Sequence, residues 1–201
     1  MRKPLLVLFL VFGLGAGAAA QTVGTPVYMA PYRAFKTSEL GASFSDPGNG
    51  WAFEGAYRVG AEKFDIGFRA GLWDWNGSDA ASDDTRFLAG TDIRFRVLDH
   101  TEQFPLDGAL TAGIGGYFGD QSRVYIPIGL SLGRRIELEG GTSFVPYLQP
   151  VLVPTFGDGN DDLLVAIGLG VDFKVSKQFD LRVSAGIGDV EGIAIGFAWI
   201  K

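Results

Sequence analysis

The sequence predicts an all-β fold, a single closed, antiparallel, up-and-down transmembrane β-barrel of about ten strands. Eight or twelve strands are the alternatives. Apolar residues alternate with small or polar ones in almost every segment after residue 36, which is the period of a strand with two different faces. These segments reach or exceed the roughly 9–11 residues that cross a bilayer at a tilt. No run of about 18 apolar residues follows the first twenty, so a transmembrane helix is excluded.

The first twenty residues have the pattern of an export signal. Arg2 and Lys3 form a positive n-region, residues 4–14 are apolar, and Ala18-Ala19-Ala20 is a small-residue cleavage site. We expect cleavage before Gln21. A retained membrane anchor is the alternative, but the apolar stretch is short for a membrane span.

The rest of the chain divides into two parts. Residues 21–36, with Pro26 and Pro31, lack clean alternation and are predicted to be a periplasmic lead-in, or to tuck into the barrel mouth. Residues 37–201 are predicted to form the barrel. Ten alternating segments are expected there, near 37–45, 50–60, 63–74, 85–98, 105–119, 123–138, 143–156, 162–175, 178–188 and 191–200.

Charge and cysteine content exclude several classes of protein. With Arg2 and Lys3 removed, 15 of the 17 basic side chains remain against 23 acidic ones, a net charge of −8. This acidic balance argues against a nucleic-acid partner, whose phosphates need Lys and Arg. The chain has no cysteine, so neither a disulfide framework nor thiolate chemistry is available.

Two further patterns favour lipid over water around the strands. The less apolar face carries small residues such as Gly113, Gly129, Gly168 and Ala194, which suit a crowded interior better than a solvated surface. Aromatic residues gather at the strand ends, as in the interfacial girdles of membrane barrels. They are Trp51, Trp73, Trp75, Phe118, Tyr125 and Phe156 beside the loops, and Phe64, Phe104, Phe144, Phe179 and Trp199 beside the turns.

The connections between segments also differ at the two ends. Loops rich in Asp, Gly and Asn follow the odd-numbered segments, whereas mostly tight turns follow the even-numbered ones. Outer-membrane barrels have this asymmetry, with short turns and both termini in the periplasm.

With these features the chain resembles the small outer-membrane β-barrel superfamily, the OmpX- and OmpW-like proteins. The resemblance covers about residues 37–201 and includes the last strand, 192–199, in which Phe197 and Trp199 match the alternating aromatics of the family's C-terminal assembly signal. The chain departs from that signal by ending in Ile200-Lys201 and by having Ala194. The resemblance implies a Gram-negative outer-membrane protein whose partners are membrane lipid, lipopolysaccharide and the barrel-assembly machinery.

The inward face is predicted to carry charges of both signs. Because an unpaired buried charge is costly, we expect them to pair and plug the lumen. A solute channel lined by Arg94 and Arg96 is the alternative. The residues are Glu39, Glu54, Arg58, Asp65, Arg69, Asp92, Arg94, Arg96, Asp172, Lys174, Asp180 and Arg182.

No catalytic, cofactor or metal site is predicted. His100 is the one histidine. A catalytic base needs a nucleophile within hydrogen-bond reach, and the sequence has no G-x-S-x-G motif to supply a serine nucleophile. Residues 158–162 begin like a calcium loop, but Leu163 and Leu169 stand where that loop needs Gly and Glu. We therefore interpret 158–162 as a solvated acidic loop.

Pro146, Pro150 and Pro154 are the one unusual feature of a strand. Because they are four residues apart, all three face the same neighbouring strand. Proline has no backbone N–H, so their own strand lacks three hydrogen-bond donors toward that neighbour. A bulged strand is one interpretation. The other is a weakly bonded seam between two strands that admits lipid. In that case the protein could be a lipid-modifying barrel, which is the one exception to the prediction that the chain is not an enzyme.

The sequence thus predicts a structural or interaction role in the outer membrane. A narrow conduit for small or hydrophobic solutes is the alternative, followed by a soluble periplasmic binding barrel. No motif identifies a small-molecule ligand.

Overall fold

In the computed structural model, the chain forms one antiparallel sheet that closes on itself. The structure describes residues 23–31, 35, 37–48, 50–76, 83–139 and 141–201. Each strand pairs with its neighbours in sequence, and the first pairs with the last from Glu39↔Ile200 to Asp46↔Ile193. The predicted ten-stranded, closed, antiparallel barrel is therefore confirmed.

The strand bounds follow the predicted segments closely. In chain order they are β1 (Glu39–Asp46), β2 (Gly50–Gly60), β3 (Phe64–Asn76), β4 (Asp83–Leu98), β5 (Asp107–Phe118), β6 in three pieces (Arg123–Tyr125, Ile128–Gly133 and Ile136–Glu137), β7 (Ser143–Gly157), β8 (Asp162–Lys174), β9 (Phe179–Gly188) and β10 (Gly192–Ile200). The predicted signal peptide, residues 1–20, lies outside the described residues, as does much of the longest predicted loop, 77–82.

The outer surface is apolar on every strand. Large hydrophobic side chains such as Phe68, Leu152 and Ile193 are exposed there, over a surface far larger than the few hundred Å² that a soluble monomer tolerates. Such an apolar exterior is suited to contact with membrane lipid. Among the described residues, no helix is long and apolar enough to cross a bilayer.

The aromatic girdles need one correction. Trp51, Phe118 and Phe156 face outward near the loops, and Phe64, Phe104, Phe179 and Trp199 do so near the turns. Trp73 and Tyr125 instead point into the barrel, where 3% and 2% of their surfaces are exposed, and Trp75 packs against the same core. Strand period two explains this, because Trp73 and Trp75 share the parity of the inward Asp65. Position near a strand end was a weaker guide than parity.

The seam between β6 and β7 is interrupted. The carbonyl groups of Pro146 and Pro154 accept from Arg134 N and Ile126 N at 3.3 and 2.9 Å, so the proline nitrogens also face β6. Residues 143–144, 147–148, 151–152 and 155–157 of β7 pair with β6, with gaps at 145–146, 149–150 and 153–154. The other edge of β7 pairs continuously with β8. The three prolines thus weaken one seam, and β6 is broken into short pieces beside it.

Glycine permits the tightest connections. Gly48 (φ 90°) turns the chain between β1 and β2, and its N–H donates to Asp46 Oδ1 at 2.9 Å. Gly188 (φ 102°) and Gly192 (φ 120°) flank the short β9–β10 loop. These φ values are accessible to glycine without steric cost.

Candidate functional site

Residues 23–31 lie inside the barrel, and we call them the inner segment. At the loop end, rings of Trp73, Tyr117 and Tyr125 fill the space beside Gly24; at the turn end, the Ala30 carbonyl accepts from Arg94. The segment therefore runs down the lumen from the loop end to the turn end.

The wall contacts the main chain of the inner segment. Met29 N donates to Gln149 Oε1 at 3.1 Å, and Ser131 Oγ donates to Met29 O at 2.6 Å. The remaining bonds of this kind are Ser184 Oγ to Pro26 O (2.8 Å), Tyr28 N to Ser184 Oγ (3.4 Å), Tyr147 Oη to Tyr28 O (3.0 Å) and Arg94 to Ala30 O. Buried backbone groups require hydrogen-bond partners, which a neighbouring strand supplies within a sheet. For the inner segment, side chains from β4, β6, β7 and β9 supply them instead.

One side chain of the inner segment occupies a shaped recess. The ring of Tyr28, 1% exposed, lies where a Cβ at Gly168 would stand, and its hydroxyl is 3.0 Å from the corresponding position at Gly186. The hydroxyl donates to Val190 O at 3.5 Å. Two glycines of the wall therefore make the space that Tyr28 fills.

Ion pairs surround the turn end of the lumen. Arg182 on β9 binds both carboxylate oxygens of Glu39 on β1, at 2.9 and 2.7 Å. It reaches past β10, whose inward residues there are the small Gly196 and Ala198. Asp172 lies 3.4 Å from Arg182 on the other side.

The same network continues across β2, β3 and β4. Arg58 contacts Asp65 and Asp92, and lies 3.8 Å from Glu39. Arg94 Nη2 lies 2.9 Å from Asp65 Oδ2. Asp65 is fully buried, so its charge depends on these two arginines for compensation.

The inner segment joins the charged network at three points. Thr25 Oγ1 donates to Glu54, whose other oxygen lies 3.4 Å from Arg69. Arg58 Nη2 lies 2.9 Å from the sulfur of Met29. With the bond from Arg94 to Ala30 O, the network holds the segment as well as the wall.

The loop end of the lumen is aromatic. The Arg86 guanidinium lies 4.1 Å from the Trp75 ring centre and 4.6 Å from that of Tyr117, both within cation–π range. Arg86 Nε also donates to Asp84 at 3.0 Å. Trp73 and Tyr117 pack edge to face with centroids 5.6 Å apart, and both rings lie beside Gly24.

Other candidates from the sequence lie outside this site. Arg96 pairs with Asp99 near the turn end, and His100 Nδ1 lies 3.1 Å from Asp107 Oδ2 in the β4–β5 connection. In the acidic loop 158–162, Asp158 accepts from Ser122 N at 2.6 Å, and the Asn160 carbonyl accepts from Arg123 at 2.9 Å. These contacts tie connections together at the barrel's two ends.

No family model matches the sequence. No curated protein matches it either. Among solved structures, the chain is similar to a barrel from a study titled "De novo design of transmembrane beta-barrels", with a TM-score of 0.41 and 13% identity over 85% of this chain and 99% of that one. It is also similar to the β domain of the Bordetella autotransporter BrkA, with a TM-score of 0.49 and 14% identity over 81% and 98%. The resemblance to OmpX- and OmpW-like proteins stays a prediction.

A cavity of about 50 Å³ lies beside Tyr28, Met29, Arg58 and Arg69, which is room for a few water molecules. Arg69 Nε is buried there without a hydrogen-bond partner among the described residues, so water can satisfy it.

Sequence reasoning missed the inner segment and Arg86. The signals were the absence of alternation before residue 37 and the glycines at 168 and 186. The glycines indicated an inward space, but which residue fills it depends on the folded barrel.

Proposed function

We propose that this chain is an integral outer-membrane β-barrel with a structural or interaction role, exported through a cleaved signal peptide. The observation that carries the proposal is the inner segment, which fills the lumen of a barrel whose exterior is apolar. Small residues and paired charges fill the remainder of the lumen. A barrel closed in this way offers its partners its outer wall and its loops.

The proposed partners follow from this placement. The apolar wall contacts outer-membrane lipid and lipopolysaccharide, and the C-terminal strand β10 engages the barrel-assembly machinery. We propose no catalytic activity; His100 anchors the β4–β5 connection through Asp107. Neither metal nor cofactor has a role in the proposal.

The test is fractionation of cells of a Gram-negative bacterium that express the full chain. We expect the protein in the outer-membrane fraction, with a mature N-terminus at Gln21 by mass spectrometry. Unheated samples should migrate differently from boiled ones on a gel, because a closed barrel resists unfolding by detergent. Recovery in the soluble periplasmic fraction would overturn the proposal in favour of a soluble binding barrel.

A second candidate is a conduit for small or hydrophobic solutes. The interrupted β6–β7 seam favours it, because three missing donors leave a place where the wall could part. Val151 faces the lumen beside this seam and Leu152 faces lipid. A conduit predicts that a lipid-dissolved maleimide labels Val151→Cys as well as Leu152→Cys; a closed barrel predicts labelling of Leu152→Cys alone.

A further inference from the structure

The lumen wall binds the inner segment mainly through its backbone. Six hydrogen bonds join wall side chains to main-chain N–H and C=O groups of residues 26–30. Side chains of the segment make fewer polar contacts with the wall, those of Thr25, Tyr28 and Met29. Recognition through the main chain depends on an extended backbone more than on a particular sequence.

The wall groups that make these bonds are themselves buried. Ser131, Gln149, Tyr147 and Ser184 are at most 5% exposed, and polar groups at such positions require partners. The main chain of the inner segment supplies those partners. Without a polypeptide in place, the same side chains would line a polar lumen with open donors and acceptors.

Among the described side chains of the segment, that of Tyr28 has the deepest recess: a Cβ at Gly168 would overlap its ring, whereas Pro31 and Pro26 lie 3.1 Å from the corresponding positions at Gly133 and Gly192. Tyr28 fills the space left by Gly168 and Gly186 and reaches the carbonyl of Val190. An aromatic residue at this position is therefore the main demand on sequence.

We propose that the lumen is a binding site for an extended polypeptide with one aromatic anchor. The inner segment occupies the site in cis, and a separate polypeptide of the same kind binds there in trans when the inner segment is absent. The ligand class follows from the wall, which offers donors and acceptors at the spacing of a main chain and a slot for one ring. This proposal goes beyond closure of the lumen, and it is independent of the membrane in which the barrel resides.

The experiment uses the folded full chain in detergent. A sequence-specific protease site is inserted between Thr37 and Ser38, at the turn end, and cut after folding. We expect the cut N-terminal piece to stay with the barrel through gel filtration. It should then exchange for a fluorescent synthetic peptide of residues 21–36, with saturable binding.

Modified peptides separate main-chain recognition from side-chain packing. N-methylation of Met29 removes the N–H that Gln149 accepts and should weaken binding about tenfold or more, as expected for a buried acceptor left unsatisfied. A Met29→Leu peptide keeps that N–H and should bind within about threefold. A Tyr28→Ala peptide should bind more than about tenfold more weakly, because it leaves the ring's recess empty.

Three results would overturn the proposal. One is equal binding of the N-methylated peptide and its parent. Another is equal binding of the Tyr28→Ala peptide and its parent, since the recess for the ring would then contribute nothing. The third is a cut N-terminal piece that neither dissociates nor exchanges at any temperature at which the gel shift shows a folded barrel. The site would then be closed to a second chain. None of these would bear on outer-membrane location.

Discussion

Ser131 and Gln149 face each other across the β6–β7 seam, and both bind Met29. The pairing of β6 with β7 keeps one register from Val124↔Phe156 to Ile136↔Phe144. Continued between these pairs, that register places Ser131 opposite Gln149, which is next to Pro150. Ser131 donates to the Met29 carbonyl at 2.6 Å, and Gln149 accepts from the Met29 N–H at 3.1 Å. The inner segment thus bridges the two strands where their own ladder lacks a donor.

Loss of this bridge should destabilise the barrel. Gln149→Leu leaves the Met29 N–H without its acceptor and removes the bond to Thr111. We expect the free energy of unfolding, measured by urea titration in lipid vesicles, to fall by about 1–3 kcal/mol. Gln178→Leu, in an exposed turn, is the control and should change it by less than about 0.5 kcal/mol. Equal effects of the two substitutions would contradict the bridging role.

Hydrogen exchange should differ between the two edges of β7. Amides of Leu148 and Leu152 face the interrupted seam, whereas those of Gln149 and Val151 face the continuous β8 ladder. Because local opening is easier where donors are missing, we expect the first pair to exchange about tenfold faster, measured residue by residue by NMR. Equal protection on both edges would show that the seam is as firm as the ladder and would count against the conduit.

Gly168 tests whether Tyr28 requires its recess. A Cβ at Gly168 would overlap the Tyr28 ring, whereas one at the lipid-facing Gly55 would meet only the Ala70 carbonyl oxygen, at 3.9 Å. We expect Gly168→Ala to lower the unfolding free energy by about 1–3 kcal/mol through overpacking and Gly55→Ala to have little effect. If both variants unfold like the parent protein, Tyr28 does not occupy the recess.

The ion pairs should contribute according to their burial. Asp65 is fully buried between Arg58 and Arg94, so Asp65→Asn should cost about 3 kcal/mol or more by leaving buried positive charge uncompensated. Asp99, whose side chain is 68% exposed, pairs with Arg96, and Asp99→Asn should cost less than about 1 kcal/mol. Urea titration in vesicles measures both. The reverse order would show that the lumen is more solvated than its geometry indicates.

The strands could be predicted because their information is local. Alternation such as Phe64, Ile66, Phe68 against Asp65, Gly67, Arg69 depends on neighbours two residues apart, and the structure places the first set outside and the second inside. The proline spacing is equally local, and it indicates which edge of β7 loses ladder donors. The same alternation predicts that Trp73 points inward, as it does, whereas its nearness to the loop suggests the opposite.

The inner segment could not be predicted in the same way. Residues 23–31 have no secondary structure of their own, and their partners are residues more than a hundred positions away, such as Ser131 and Gln149. Such complementarity exists only after the sheet closes. The continuity of β6 was overestimated for a related reason: its two breaks lie opposite Pro154 and Pro146 of β7, and the first also contains Pro127.

Single-channel recording in planar bilayers tests the central claim most directly. If the inner segment closes the lumen of a membrane barrel, the full-length protein should insert without conductance steps, and a chain lacking residues 23–31 should produce them. Heat-modifiable gel migration of the same samples verifies that each barrel is folded. Stable conductance steps from the folded full-length protein would contradict a closed lumen.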